Sequence, residues 1–360
     1  MPEVLTPETP ERVAATPSSL RRSSLPSWAP LLVGVVAIAA AVLITSVIGG
    51  GIAAVVILAT LIFAVGLPGW SRAVEGPRKA ADRLVTTLVW VALGLALIPL
   101  ASLLWQVVTV GGPQLNGKFL TYSMRNVVGE PGGIYHAIIG TLLITLTAAI
   151  ISVPVGLLTA IYLVEYGANG GLSRALRFLI DVMTGIPSIV AGLFAYTLFR
   201  IIFGPGTQIG FGGGVALSIL MIPIVVRSAE EMLKLVPSDL REASYALGVP
   251  KWKTIVKVVL PTAAAGIVTG ITLAIARVIG ETAPLIIICG ITDSVNTNLF
   301  SGQMESLPVF IYLSYTQPGL NPDIRQNMAW GAALVLVIIV AALNLIARLA
   351  GRLLAPKTGR

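Results

Sequence analysis

REASYALGVPKWKTIVKVVLP runs from Arg241 to Pro261. It sets Arg241, Glu242, Lys251, Lys253 and Lys257 into a chain that is otherwise 56% hydrophobic and only 11% charged. Upstream, Pro237 opens a short helix, and Asp239 with Glu242 three positions on forms an analogue of a capping box. Leu240, Ala243, Ser244 and Leu247 then recur at helical spacing, which puts them on one small, weakly apolar face. Gly248 supplies the left-handed residue that commonly ends a helix, and Pro250 restarts the chain at a first-turn position. A second short basic helix follows, and Leu260-Pro261 marks entry into the next apolar run. A helix of about nine residues is marginal alone in water and needs a groove. The pattern fits a helix that docks into a partner, and it also fits an ordinary amphipathic loop at a membrane surface.

The surrounding chain settles the fold class. Its 360 residues have a mean hydropathy of +0.91. Several apolar runs reach the roughly 20 residues that cross about 30 Å of hydrocarbon as a helix. They are too long and too uniformly apolar for the alternating strands of a barrel, and lipid tolerates no other backbone arrangement. The expectation is an all-α polytopic membrane protein with eight spans, near 31–49, 52–68, 84–110, 137–164, 178–203, 213–235, 262–290 and 328–347. Residues 1–29, rich in Pro, Ser, Thr and charge, read as a disordered tail. Residues 30–83 form a two-span hairpin turning at Gly49-Gly50-Gly51, plus a linker. Residues 84–350 are the main transmembrane domain, with the charged loop at 237–261, and 351–360 are a basic tail.

Charge distribution orients the chain. Eighteen of the 24 Lys and Arg fall on the side that holds both termini and the 237–261 loop, three on the opposite side and three inside spans. By the positive-inside rule the termini are cytoplasmic. The same asymmetry accounts for the net charge of +8 without nucleic acid as a partner.

Little supports catalysis. Cys289 is the one cysteine and His136 the one histidine, so no internal disulfide and no cysteine or histidine-rich metal cluster can form. Gly112 to Phe119, GPQLNGKF, imitates a phosphate-binding loop, yet Phe119 stands where a metal-binding hydroxyl belongs and no strand precedes it. No catalytic residue, metal ligand or cofactor is expected on this chain, and any ATP that drives it must bind elsewhere.

Five charges sit in or beside apolar sequence. Arg227 lies about 12 residues into its span, roughly 18 Å deep, with Glu230 and Glu231 three and four positions on. Arg277 is 16 residues past Pro261, with Glu281 four residues later. Arginine in a span costs at least about 2.5–3.5 kcal/mol and cannot escape by deprotonating. Such residues face a protein interior or a water-filled path. Two guanidinium forks, each tempered by a carboxylate, suit the passage of a tetrahedral oxyanion. Salt bridges that merely join spans would use the same residues. Asp181, only a few residues inside its span, reads as interfacial or as helix packing.

Glu242-Ala243-Ser244, Gly248 and VVLP ending at Pro261 resemble the EAA loop of ABC-importer permeases. Ser244 stands for the second Ala and Val258 for an Ile. With the RSAEE stretch at Arg227 and GETAPL at Gly280, residues 84–350 resemble the PstA family of permease subunits from bacterial phosphate-specific ABC importers. That resemblance implies a MetI-like six-span core and a role for Arg227, Glu230 and Arg277 along the phosphate path, to which the residue reading adds Glu281 beside Arg277. It implies that Leu240, Glu242, Ala243, Ser244, Leu247, Gly248, Leu260 and Pro261 couple the chain to an ATPase. The implied partners are a second, PstC-like permease subunit, a dimer of ATP-binding subunits carrying ATP and Mg, an extracytoplasmic phosphate-binding protein and the lipid bilayer of the bacterial cell membrane. Permeases for sulfate or molybdate share the loop, and a secondary anion transporter is the other alternative. The N-terminal hairpin lies outside the resemblance.

Overall fold

A computed structural model describes residues 24–127, 131–167 and 170–354. Among these residues all regular structure is helical. The chain divides into two compact units, Met1–Leu103 and Leu104–Arg360.

In the first unit, α1 (Ala29–Ile48) and α2 (Ile52–Val74) pack as the expected hairpin, and α3 begins at Pro77 and runs to Gly111. The turn works because Gly49 adopts φ +82, a left-handed conformation that closes α1. α2 passes through Pro68 and continues to Val74, beyond the expected end at 68. The linker expected between spans is therefore almost wholly helical, with a break only at Glu75-Gly76. Glu75 organises that break. Its carboxylate accepts from the Leu25 amide (2.8 Å), the Ser71 hydroxyl (2.6 Å) and the Arg83 guanidinium (2.9 and 3.2 Å). Residues 1–23 of the expected disordered tail lie outside the described residues. The rest of it is ordered: Leu25 is buried, and Ala29 already opens α1.

The second unit starts with the phosphate-loop imitation, now a short helical bend. α4 (Gly117–Thr121) is capped by Asn116 Oδ1, which accepts from the Phe119 amide, and Phe119 is buried. α5 (Tyr135–Ile161) ends in a wide π-turn, Tyr162–Tyr166. α6 (Gly171–Thr184) and α7 (Ser188–Phe203) replace the single expected span 178–203 and are bent 108° from one another. Pro187 supplies no amide and pushes Ile186 out of helical geometry, which breaks the run.

α8 (Gly210–Lys234) is the central helix, packed against α5 and α7. The coupling segment follows as α9 (Ser238–Ala246) and α10 (Lys251–Thr254). α10 passes through a π-turn (Ile255–Val259) into α11 (Leu260–Val278), making one continuous helix rather than a separate basic helix and a span. The wide turn lies just before Pro261, which has no amide to donate. α12 (Ala283–Ile288), α13 (Leu307–Thr316) and α14 (Pro322–Leu354) complete the chain. Among the described residues, seven helices are long and apolar enough to span a membrane, or eight if the bent α6–α7 pair counts as one. Residues 355–360 of the basic tail lie outside the described residues.

Candidate functional site

Arg227 and Glu230 lie on α8, opposite Asp181 and Arg177 on α6. The pairings cross between helices: Arg227 Nη2 donates to Asp181 Oδ1, and Arg177 Nη1 donates to Glu230 Oε1. Lys234 Nζ lies 2.7 Å from the same Glu230 oxygen. The expected pairing of Arg227 with Glu230 and Glu231 on its own helix is therefore replaced by an ion pair to another helix. The two residues also differ in setting. The Glu230 side chain is only 10% exposed, whereas Arg227 and Asp181 are 53% and 63% exposed. Glu230 belongs to a packed network, and Arg227 faces outward.

Arg277 is exposed in the last turn of α11, a helix terminus that favours a cation. The helix stops at Val278, so Glu281 never reaches the next turn, and the four-residue spacing produces no ion pair. Ile279 to Thr282 run non-helically before α12 begins. Backbone of this kind at membrane depth is tolerated only where protein buries it or it lines an aqueous cavity.

Register relates the two arginines. A Cβ at Gly270 would lie 1.6 Å from Ser228 Oγ, and one at Gly266 would lie 2.2 Å from Met232 Sδ. α8 and α11 thus pack antiparallel with 270 beside 228, and Arg277 lies level with residue 221. At 1.5 Å per residue the arginines are offset by about 9 Å along the pair. Because α8 begins at Gly210, Arg227 sits nearer the coupling end than the expected 18 Å depth, and Arg277 occupies the middle level.

The coupling segment has an inner and an outer face. Leu240, Glu242, Ala243, Leu247, Gly248 and Pro261 are exposed, and Leu260 is half-buried. Ser244 instead turns inward and shares a 2.8 Å hydrogen bond with Thr254 Oγ1, tying α9 to α10. The capping box does not form. Pro237 is the cap residue, with no side-chain hydrogen bond, and Asp239 sits in the first turn. Gly248 is left-handed at φ +73. Arg241 anchors the segment. It donates to Glu165 Oε1 (2.9 and 3.0 Å) and to the carbonyls of Val236 (2.6 Å) and Leu233 (2.9 Å). Lys251 Nζ donates to the Glu165 carbonyl.

The family model for binding-protein-dependent transport system inner membrane components matches residues 152–360. Phosphate transport system permease protein PstA 1 of Mycobacterium tuberculosis is 49% identical over 273 residues, covering 75% of this chain and 88% of that one. PstA of Pasteurella multocida is 36% identical over 272 residues, covering 76% and 95%. This chain belongs to the PstA family of permeases. A chain in the crystal structure of a bacterial alginate ABC transporter shares the fold: TM-score 0.58 and 14% identity, over 78% of this chain and 97% of that one.

As a PstA-family permease the chain is a transport subunit of a multi-pass membrane assembly, not an enzyme. Arg227, paired with Asp181, and Arg277, in the last turn of α11, are two exposed guanidinium groups at two depths. That arrangement can pass an oxyanion between paired hydrogen-bond donors without covalent chemistry. The residues that sequence reasoning missed are the partners: Asp181 for Arg227, Arg177 and Lys234 for Glu230, and Glu165 for Arg241. The i,i+4 spacings of Arg177 with Asp181 and of Glu230 with Lys234 were the available signals. Nothing local in the sequence links Arg241 to a carboxylate 76 residues away.

Proposed function

We propose that this chain is the membrane permease of an ATP-driven inorganic phosphate importer, and that Arg227 and Arg277 hand phosphate along its path. The observation that carries the assignment is the pair of outward-facing arginines, staggered by about 9 Å on packed helices, in a chain whose relatives are phosphate transport permeases. The guanidinium fork matches phosphate geometry, and Asp181 competes for Arg227 so that the anion is released. Glu281 accepts from a protonated phosphate oxygen and so disfavours oxyanions lacking one. Glu230 acts on the path indirectly, by holding α6 against α8.

The exposed faces around Leu240, Glu242, Ala243, Leu247 and Gly248 dock on an ATP-binding subunit dimer, which carries the ATP and Mg. Ser244, Leu260 and Pro261 hold that surface in shape. A second, PstC-like permease completes the path, and an extracytoplasmic phosphate-binding protein delivers the anion. Both termini are cytoplasmic, as the Lys and Arg asymmetry requires. A secondary carrier would need no such docking segment, and sulfate or molybdate selectivity would leave Glu281 without a donor.

The test is phosphate uptake by the complex reconstituted in proteoliposomes with its binding protein. ATP-dependent accumulation that excess sulfate does not suppress supports the assignment. Uptake without any ATPase subunit would replace it with a secondary carrier.

A further inference from the structure

Three metal-ligating side chains meet at the end of α5 remote from the coupling segment. His136 stands in the first turn of α5, Asp293 after α12 and Glu305 just before α13. One donor atom from each lies within 4.8 Å of the others, and His136 Nε2 is 3.3 Å from Glu305 Oε2. The meeting is built. Gly140 is one helical turn beyond His136, and a Cβ there would lie 1.9 Å from the Glu305 carbonyl oxygen. Only glycine lets this stretch lie against α5. On either side of Glu305, the Met304 amide donates to the Cys289 carbonyl (3.1 Å) and the Leu307 amide to Thr141 Oγ1 (2.7 Å). The Phe310 ring meets the imidazole edge-on at 5.7 Å and fixes its plane.

The imidazole is sealed yet unsatisfied. Its side chain is 1% exposed, and neither ring nitrogen has a hydrogen-bond partner among the described residues. The 3.3 Å approach to Glu305 is not aligned as a hydrogen bond. Buried polar side chains are nearly always partnered, so this group calls for an explanation. Asp293 and Arg325 are the other charged groups facing Glu305, and the Arg325 guanidinium lies 5.9 Å from the centre of the Phe310 ring. Two carboxylates against one guanidinium leave the neighbourhood attractive to a cation. Two donors held about 2.0–2.2 Å from one tetrahedral ion lie about 3.3–3.6 Å apart, which matches the 3.3 Å between His136 Nε2 and Glu305 Oε2. One imidazole nitrogen with carboxylate oxygens suits zinc or a similar transition metal better than magnesium or calcium. Asp293 is exposed and gives the open side for the ion and a water.

The geometry points to a divalent transition-metal site, best matched to zinc, formed by His136, Asp293 and Glu305 and pinning the stretch before α13 onto α5. It is independent of the transport assignment.

The chain has a single histidine, so any imidazole–metal signal from the full-length, tag-free protein reports His136. Cobalt(II) is titrated into the protein in nanodiscs with excess magnesium present, followed by zinc. One equivalent should bind, with visible ligand-field bands of a tetrahedral centre that zinc abolishes. His136→Gln should weaken binding by more than about 100-fold, and Asp293→Asn by about 10-fold or more. Asp293 is exposed, so its variant remains decisive if the histidine variant fails to fold. Absence of saturable cobalt binding, or Asp293→Asn binding as tightly as the parent protein, would overturn the site.

Discussion

Arg241 in the coupling segment donates two hydrogen bonds, 2.9 and 3.0 Å long, to the buried Glu165 carboxylate at the end of α5. The same guanidinium holds the Leu233 carbonyl in the last turn of α8 and the Val236 carbonyl just beyond it. One side chain thus fastens α9 to the ends of α5 and α8, the two most closely packed helices of the bundle. Arg241→Ala strands the carboxylate, a change that costs about 3–5 kcal/mol for a buried pair. The expected result is a lowered unfolding midpoint for the purified chain, largely recovered in the double variant Arg241→Met/Glu165→Leu. The double variant should still fail to couple ATP hydrolysis to uptake, because the fastening is gone.

Gly248 is left-handed with open space around its absent side chain. A substitution there meets no clash and acts only through the backbone, at about 1–2 kcal/mol for an L-residue in this region. Gly248→Val should therefore leave the bundle folded but rotate α9 relative to α10. Co-purification of the ATPase subunit should fall, while circular dichroism and membrane insertion stay unchanged.

Asp181 and Arg227 are both more than half exposed, so their pair contributes at most about 1 kcal/mol to stability. Asp181→Asn should barely change the unfolding midpoint. It removes the anion's competitor at Arg227, so phosphate should bind more tightly and leave more slowly. Steady-state uptake should show a lower KM together with a lower maximal rate.

Glu75 ties the approach to α1 to the α2–α3 corner. Hydrogen bonds from Arg83, Ser71 and the Leu25 amide hold its pKa down to about 2, against an ordinary value of 4.5. A depressed folded value means that this stabilisation is complete above about pH 4.5 and is lost as the pH falls toward 2. Trp28 and Trp70 pack edge-on at 6.3 Å in the same unit and report on the contact. Their fluorescence should change between pH 4.5 and 2 in the parent protein, and Glu75→Gln should remove that transition.

Much of the fold was legible because membrane spans announce themselves by length and hydropathy, and the charged loop announces itself by contrast. The hairpin turn at Gly49-Gly50-Gly51 and the left-handed Gly248 were readable, and both form. The breaks were harder. Pro187 signalled a disturbance of the expected fifth span, but a kink and a 108° turn look alike in sequence. The unwinding after Val278 separated Arg277 from Glu281 although their spacing suggested a pair. In the site, the types of residue were visible and their partners were not. Helical spacing offers local partners, but Arg227 took its partner from α6, and Glu230 took Arg177 from α6 as well as Lys234 on its own helix. The inward turn of Ser244 depends on Thr254, which only the folded segment brings to it.

The central claim is that Arg227 and Arg277 carry phosphate rather than merely join helices. The most direct test is ATP-dependent uptake of labelled phosphate by the reconstituted complex containing Arg227→Gln or Arg277→Gln, with assembly and unfolding midpoint measured on the same preparations. Each variant should assemble normally, keep its midpoint within about 1 kcal/mol of the parent protein, as exposed positions allow, and lose transport. Normal uptake by either assembled variant, or loss of transport that tracks loss of folding, would contradict the claim.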